Sequence, residues 1–208
     1  MTPSDVLDYW FGAARRDPAT LPERMRFWFG SDQDTPDDVA ARDARMRADF
    51  SGLMTQREEG ALAKWAVSPT GRLALILLTD QLPRNVHRGL ARAFASDAEA
   101  RALCSEGLAL GHDQHLAPLE RVFFYMPLEH SESSADQSRC VALIEALERQ
   151  APDGFGEAFA GFTRFAKWHR DIIERFGRFP HRNRVLGRTD TPEEARYLAG
   201  DAPSFGQR

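Results

Sequence analysis

Three stretches of the sequence, TPSD at residues 2–5, TPDD at 35–38 and TPEE at 191–194, repeat one arrangement of threonine, proline, a variable residue and an acid. A threonine oxygen accepts from an orphan amide in the first turn of a helix. Proline is tolerated at the first helical position, where its missing N–H is no loss, and an acid two positions later bonds back to the amide of the cap. Thr2, Thr35 and Thr191 are therefore expected to begin helices. SDAE at 96–99 reads as a fourth capping box, and SPTG at 68–71 as a weaker start. Gly12, Gly60, Gly111, Gly177 and Gly200 stand where helical patterns end, at positions suited to a C-terminal cap.

Between these marks, apolar residues recur with a 3.6-residue period, which places helices near 3–11, 36–59, 69–82, 97–110, 118–130, 135–150, 156–176 and 192–199. No segment alternates with the period of two that a half-buried strand needs. Connections are short except across 12–35, and no low-complexity tract interrupts them, so the expectation is one all-α domain over residues 1–208. YWFG at 9–12 recurs as FWFG at 27–30. Three consecutive aromatics cannot share one face of a surface helix, so both segments are assigned to the core.

Hydrophobic residues make up 42% of the 208 and charged residues 28%, too apolar for a disordered chain. The longest apolar run, Leu73 to Leu78, is far short of the ~20 residues of a membrane helix, so no membrane span is expected. An acid near the N-terminus and the lack of an apolar stretch after it argue against a signal peptide and for a cytoplasmic location. Cys104 and Cys140 match no metal or redox spacing and are expected as small core residues.

Charge is segregated. The chain carries 27 Lys+Arg against 31 Asp+Glu, a net −4, yet Asp80 to Asp97 encloses Arg84, Arg88 and Arg92 with no acid between. Glu174 to Asp190 likewise encloses Arg175, Arg178, Arg182, Arg184 and Arg188. A basic field of this kind inside an acidic protein favours a small anion and disfavours nucleic acid, whose phosphate track the acidic remainder would repel. The two windows also echo each other: LPRNVHRG and FPHRNRVLG both run from an apolar residue through proline to Arg-Asn, with glycine four residues later.

The helices leading to these turns end in polar groups. Asp80 lies seven residues from Leu73 and four from Ile76, on one face of a helix that is apolar nearly all round, so its carboxylate is expected to be buried and held by Arg84 or Arg182. In 155–176 the stripe Phe155, Phe159, Phe162, Ala166, His169, Ile173 and Phe176 has a histidine where an apolar residue belongs. The apolar stretch 122–128 runs straight into Glu129 and His130, with Pro127 expected to kink or end that helix. Together these imply one pocket. In one reading it binds a small anionic phosphate or carboxylate compound through Arg84, Arg182 and His181, with Asn85 and Asn183 shaping the turns or donating to the ligand. In another it is an enzyme, with His169 or His130 as general base, Glu129 or Asp80 orienting the imidazole, and the arginines stabilising developing charge.

A metal-dependent hydrolase is a variant of the enzyme reading. However, Asp80, Glu129, His130 and His169 show no HExxH or HxH spacing, and HDQH at 112–115 is a weak signal, so no metal is expected and no cofactor is specified. Serine-hydrolase, P-loop and dinucleotide-binding motifs are absent from the sequence.

LLTDQLPRNVHRGLARAF, FFYMPLEHSE, HRDIIERFGRFPHRNRVLGR and TPEEARYL, in this order, resemble the bacterial family catalogued as domain of unknown function 924. The similarity runs from LDYWFG to TPEEARYL. Thr79 and Leu82 stand where the family more often has Asp and Phe. The resemblance implies a tetratricopeptide-like array of antiparallel helices, although the usual repeat signature is not visible. Such folds often serve as protein-interaction modules, which makes a protein partner a third reading, resting on fold alone.

Overall fold

The computed structural model describes residues 1–200, so the last eight residues of the expected domain lie outside it. Among the described residues the protein is helical, with no strand. The principal helices are α1 (Pro3–Phe11), α2 (Leu21–Phe29), α3 (Pro36–Glu58), α4 (Pro69–Ile76), α5 (Leu82–Val86), α6 (Asp97–Ala109), α7 (Pro118–Glu129), α8 (Ser134–Arg149), α9 (Gly156–Phe176) and α10 (Pro192–Ala199). All three Thr-Pro boxes form. Thr2, Thr35 and Thr191 accept from the amides of Asp5, Asp38 and Glu194 at 3.3, 3.2 and 3.2 Å, and each acid accepts in return from the amide of its threonine.

The fourth box does not. Ser96 accepts from Arg57 Nη2 at 3.0 Å and Glu99 from Arg57 Nη1 at 2.6 Å, so a side chain from α3 takes both groups that would have capped α6. Helix α2 falls inside the stretch expected to be a long connection. Its start lacks a side-chain cap, because the capping acid, Asp17, sits earlier and bonds the amide of Ala19 in a short 3₁₀ turn that leads into the helix. Pro127 stands inside α7, which ends two residues later at Glu129. Gly12, Gly60, Gly111 and Gly177 adopt positive φ as helix-ending glycines do, whereas Gly200 does not, at φ −92°.

Two helices are central. Leu73 to Leu78 of α4 and the turn after it are buried on every side, and so is α7 from Val122 to Glu129. Helices α7, α8 and α9 follow one another through short connections and pack side by side, which makes them successive antiparallel hairpins. The aromatic echoes meet on α7: Trp10, Phe11 and Trp28 all approach Phe123 edge-on, with centroids 5.8, 5.2 and 4.6 Å away. A smaller cluster of Ile172, Ile173 and Phe179 seats the turn after α9. Burying the two central helices side by side brings their polar C-terminal ends into the same region.

Candidate functional site

Helix α4 does not run smoothly into α5. Residues Leu77–Gln81 form a π turn, in which the Leu82 amide reaches back to the Leu77 carbonyl. The cause is Pro83, which has no N–H to donate and whose ring would strike the Thr79 carbonyl in a regular helix; one widened turn absorbs both problems. Asp80 sits on that turn with no solvent exposure. Its carboxylate lies 2.8 and 3.0 Å from His130 Nδ1, the first residue beyond α7, and also accepts from Gln81. Arg84 is farther, at 3.4 Å, and donates instead to the Asp80 carbonyl at 2.7 Å. Burial alone would raise the Asp80 carboxyl, but Arg84, His130 and Gln81 together outweigh it and hold the group well below the usual carboxylate range. Asp80 is thus an acceptor, and His130 carries its proton on Nδ1.

Arg84 and Arg182 converge on a residue that the sequence had marked only as part of a cap. Asp97 accepts from Arg84 Nη1 and Nη2 at 2.9 and 3.1 Å and from Arg182 Nη1 at 3.3 Å. The Arg182 guanidinium is held between the rings of Phe94 and Phe179, 4.8 and 4.5 Å from their centroids. Burial, reinforced by the Arg84 charge, lowers its pKa to about 10. Arg182 Nε is buried and, among the described residues, has no hydrogen-bond partner.

The supposed surplus of base is largely neutralised from elsewhere in the chain. Arg88 pairs with Asp43, Arg92 with Glu58, Arg175 with Glu193, Arg178 with Glu194 and Arg188 with Glu132. Arginine windows free of acid in sequence are therefore not free of acid in space. Arg84 and Arg182, one from each window, share a carboxylate with each other.

The other polar end comes from α7 and α9. Glu129 Oε1 lies 3.3 Å from His169 Nδ1, which is also 2.9 Å from the Phe165 carbonyl. Burial, together with the nearby Asp80 charge, pushes the Glu129 carboxyl up to about 8; burial, with His130 nearby, pushes His169 down to about 3. Both are neutral at pH 7. The His130 and His169 rings are 6.1 Å apart, and Phe179 separates His169 from His181, with centroids 5.6 and 5.5 Å from the two. Burial, followed by the Arg182 charge, lowers His181 to about 2.

A cavity of about 320 Å³ opens beside this network, walled by Phe94, Asp97, Arg101, His130, Glu132 and Arg182 among others. The two asparagines, expected to shape the turns or donate to a ligand, are not among the cavity-lining residues. Asn85 donates to the Gln81 carbonyl at 3.2 Å and accepts from Arg88 at 2.8 Å, while Asn183 donates to Asp190 at 2.7 Å. They shape the turns, and each turn closes on a positive-φ glycine, Gly89 or Gly187. His181 and Arg84 stand behind the cavity wall rather than in it. Sequence reasoning missed Asp97, Phe94 and Phe179; the need of two arginines for a carboxylate was the signal that could have led to Asp97.

Comparison with known proteins agrees with this architecture. No curated protein matches the chain. A solved structure of a protein of unknown function, ATU0120 from Agrobacterium tumefaciens, is 38% identical, covers 88% of this chain and 98% of its own, and superposes with a TM-score of 0.68. The family model described as "Bacterial protein of unknown function (DUF924)" matches residues 6–202. With the match spanning both central helices and both arginine turns, the chain belongs to the DUF924 family.

Proposed function

We propose that the cavity binds a small oxyanion, a phosphate or carboxylate compound, with Arg182 as its anchor. The observation that carries this reading is the pairing of Arg182: it lines the cavity, shares its single carboxylate with Arg84, and keeps a buried Nε without a hydrogen-bond partner among the described residues. A buried donor in that state costs free energy that an incoming oxygen offsets. Stacking between Phe94 and Phe179 fixes the guanidinium in place, so little rotamer freedom remains to be lost on binding. The cavity volume suits a compound of metabolite size.

Thermal unfolding in the presence of inorganic phosphate, sulfate and citrate tests this reading. An anion that binds the folded state at a hundred times its Kd stabilises it by about 2.7 kcal/mol. Arg182→Gln should abolish the anion-dependent rise in Tm, and Arg178→Gln, which removes an equal charge from a guanidinium paired with Glu194 outside the cavity, should leave it intact. Equal losses in both variants would mean general screening rather than a site.

A further inference from the structure

We infer that Glu129, His130 and His169 form a site for one divalent transition-metal ion of the zinc class. One ring nitrogen from each histidine and one Glu129 oxygen lie within 4.8 Å of one another. Tetrahedral ligation with bonds of 2.0–2.1 Å places donors about 3.4 Å apart, so the three groups must draw together by up to about 1.4 Å to close on an ion. No sequence spacing announces the site, because Glu129 and His130 come from the end of α7 and His169 from α9. Packing of the helices supplies what the motif lacks.

The orientation of the rings is the stronger argument. His130 Nδ1 donates to Asp80 at 2.8 Å, and His169 Nδ1 lies 2.9 Å from the Phe165 carbonyl, which can only accept. Both imidazoles therefore hold their proton on Nδ1 and carry the lone pair on Nε2. A carboxylate behind one metal-binding histidine and a backbone carbonyl behind another is the outer arrangement that fixes such ligands and raises their basicity. Two imidazoles and one carboxylate leave at least one coordination position for water or for an oxyanion.

The nearby arginines do not forbid a cation. Arg84 and Arg182 are matched by Asp80 and Asp97, so Glu129, which releases its proton to solvent as the ion binds, supplies a carboxylate beyond those that balance the guanidiniums. His130 also lines the cavity, which places the ion next to the proposed anion site. The metal site stands apart from that reading, since it is tested with the metal alone.

The test is titration of chelator-treated protein with Zn²⁺, and with Co²⁺ as a spectroscopic substitute. One equivalent per chain is expected, with the visible absorption of four- or five-coordinate cobalt. Glu129→Gln and His169→Gln should each weaken Zn²⁺ at least tenfold, and Asp80→Asn should do the same through His130, whereas a His112→Gln/His115→Gln double variant should bind as the parent does. Circular dichroism establishes that each variant is folded. In the parent protein itself, Zn²⁺ should shift the Nε2 resonances of His130 and His169 in long-range ¹H–¹⁵N spectra, which keeps the test valid if a variant does not fold. Binding below one equivalent, unshifted histidine resonances, or binding lost in the His112/His115 variant would overturn the inference.

Discussion

Arg84 and Arg182 hold one carboxylate between them: Asp97 stands 2.9 Å from the first and 3.3 Å from the second. The three residues come from α5, the start of α6 and the turn after α9, so this contact joins the two halves of the sequence echo. It also explains why Ser96 and Glu99 can go to Arg57 without cost to the site, since Asp97, at the first position of α6, still faces the arginines.

Asp97→Asn removes the charge that both arginines share while keeping the shape. The pair is partly buried, so the loss lies between the near-zero value of surface pairs and the ~3–5 kcal/mol of fully buried ones, at about 2 kcal/mol. Urea unfolding should show this destabilisation in anion-free buffer. Phosphate should recover more stability in the variant than in the parent, because the Arg182 guanidinium would then face the cavity with its carboxylate gone. Equal recovery in both proteins would place the bound anion away from Arg84 and Arg182.

Asp80→Asn should be costlier. The carboxylate is buried, accepts from His130 and Gln81, and lies 3.4 Å from Arg84. An amide in its place must turn its NH₂ toward one of these donors, and it leaves a buried guanidinium with one carboxylate fewer. A loss of about 3–5 kcal/mol in urea unfolding is expected. A loss under about 1 kcal/mol would show that Asp80 is not the hub of the network.

Much of this was legible in the sequence, and the reason differs from part to part. Caps are local, so Thr2, Thr35 and Thr191 mark true helix starts. The burial of Asp80 followed from its place on an apolar face, and the gathering of polar helix ends from the burial of α4 and α7. The partner of Asp80 was not legible. His130 is fifty residues away, and the nearer candidate, Arg84, turned chiefly to the backbone and to Asp97. Counting acids along the chain also misjudged the arginines, whose partners Asp43, Glu58, Glu132, Glu193 and Glu194 lie outside both windows. The π turn escaped because a 3.6-residue pattern does not reveal one widened turn, although Pro83 was its visible cause.

The C-terminal helix should be acid-labile. Glu194 caps α10 through Thr191 and pairs with Arg178 at 2.6 and 2.7 Å. The Arg178 hydrogen bonds, against the opposing effect of burial and with help from the Thr191 amide, lower its carboxyl to about 2. A depressed carboxyl contributes stability above its unfolded pKa of about 4.3 that is lost as pH falls toward the folded value. Amides of α10 should therefore exchange faster with falling pH over that window, after correction for intrinsic rates. Glu194→Gln should exchange about tenfold faster at neutral pH through loss of the cap. Unchanged protection in this variant would show that the packing of Phe176 on Tyr197 alone seats the helix.

His181 predicts a second pH dependence, at higher pH than that of Glu194. Burial, with the charge of Arg182 and the neighbouring His169, His130 and Arg84, holds its pKa at about 2 in the folded protein. The unfolded chain takes up the proton near pH 6.5, so the contribution of His181 is complete above that value and declines as pH falls below it. The slope approaches about 1.4 kcal/mol per pH unit for each histidine so held. His169, lowered to about 3, adds its own share, while Glu129, raised to about 8, keeps a proton that the unfolded chain releases and so opposes one of the two histidines. The parent should lose stability between about pH 6.5 and pH 5 with a net slope near that of a single histidine. His181→Gln keeps a polar group of similar reach but cannot titrate, and urea midpoints measured across that interval should fall along a shallower slope than in the parent. Identical slopes would mean that His181 is protonated in the folded state, and with it that the wall behind Arg182 tolerates one more positive charge than this structure allows.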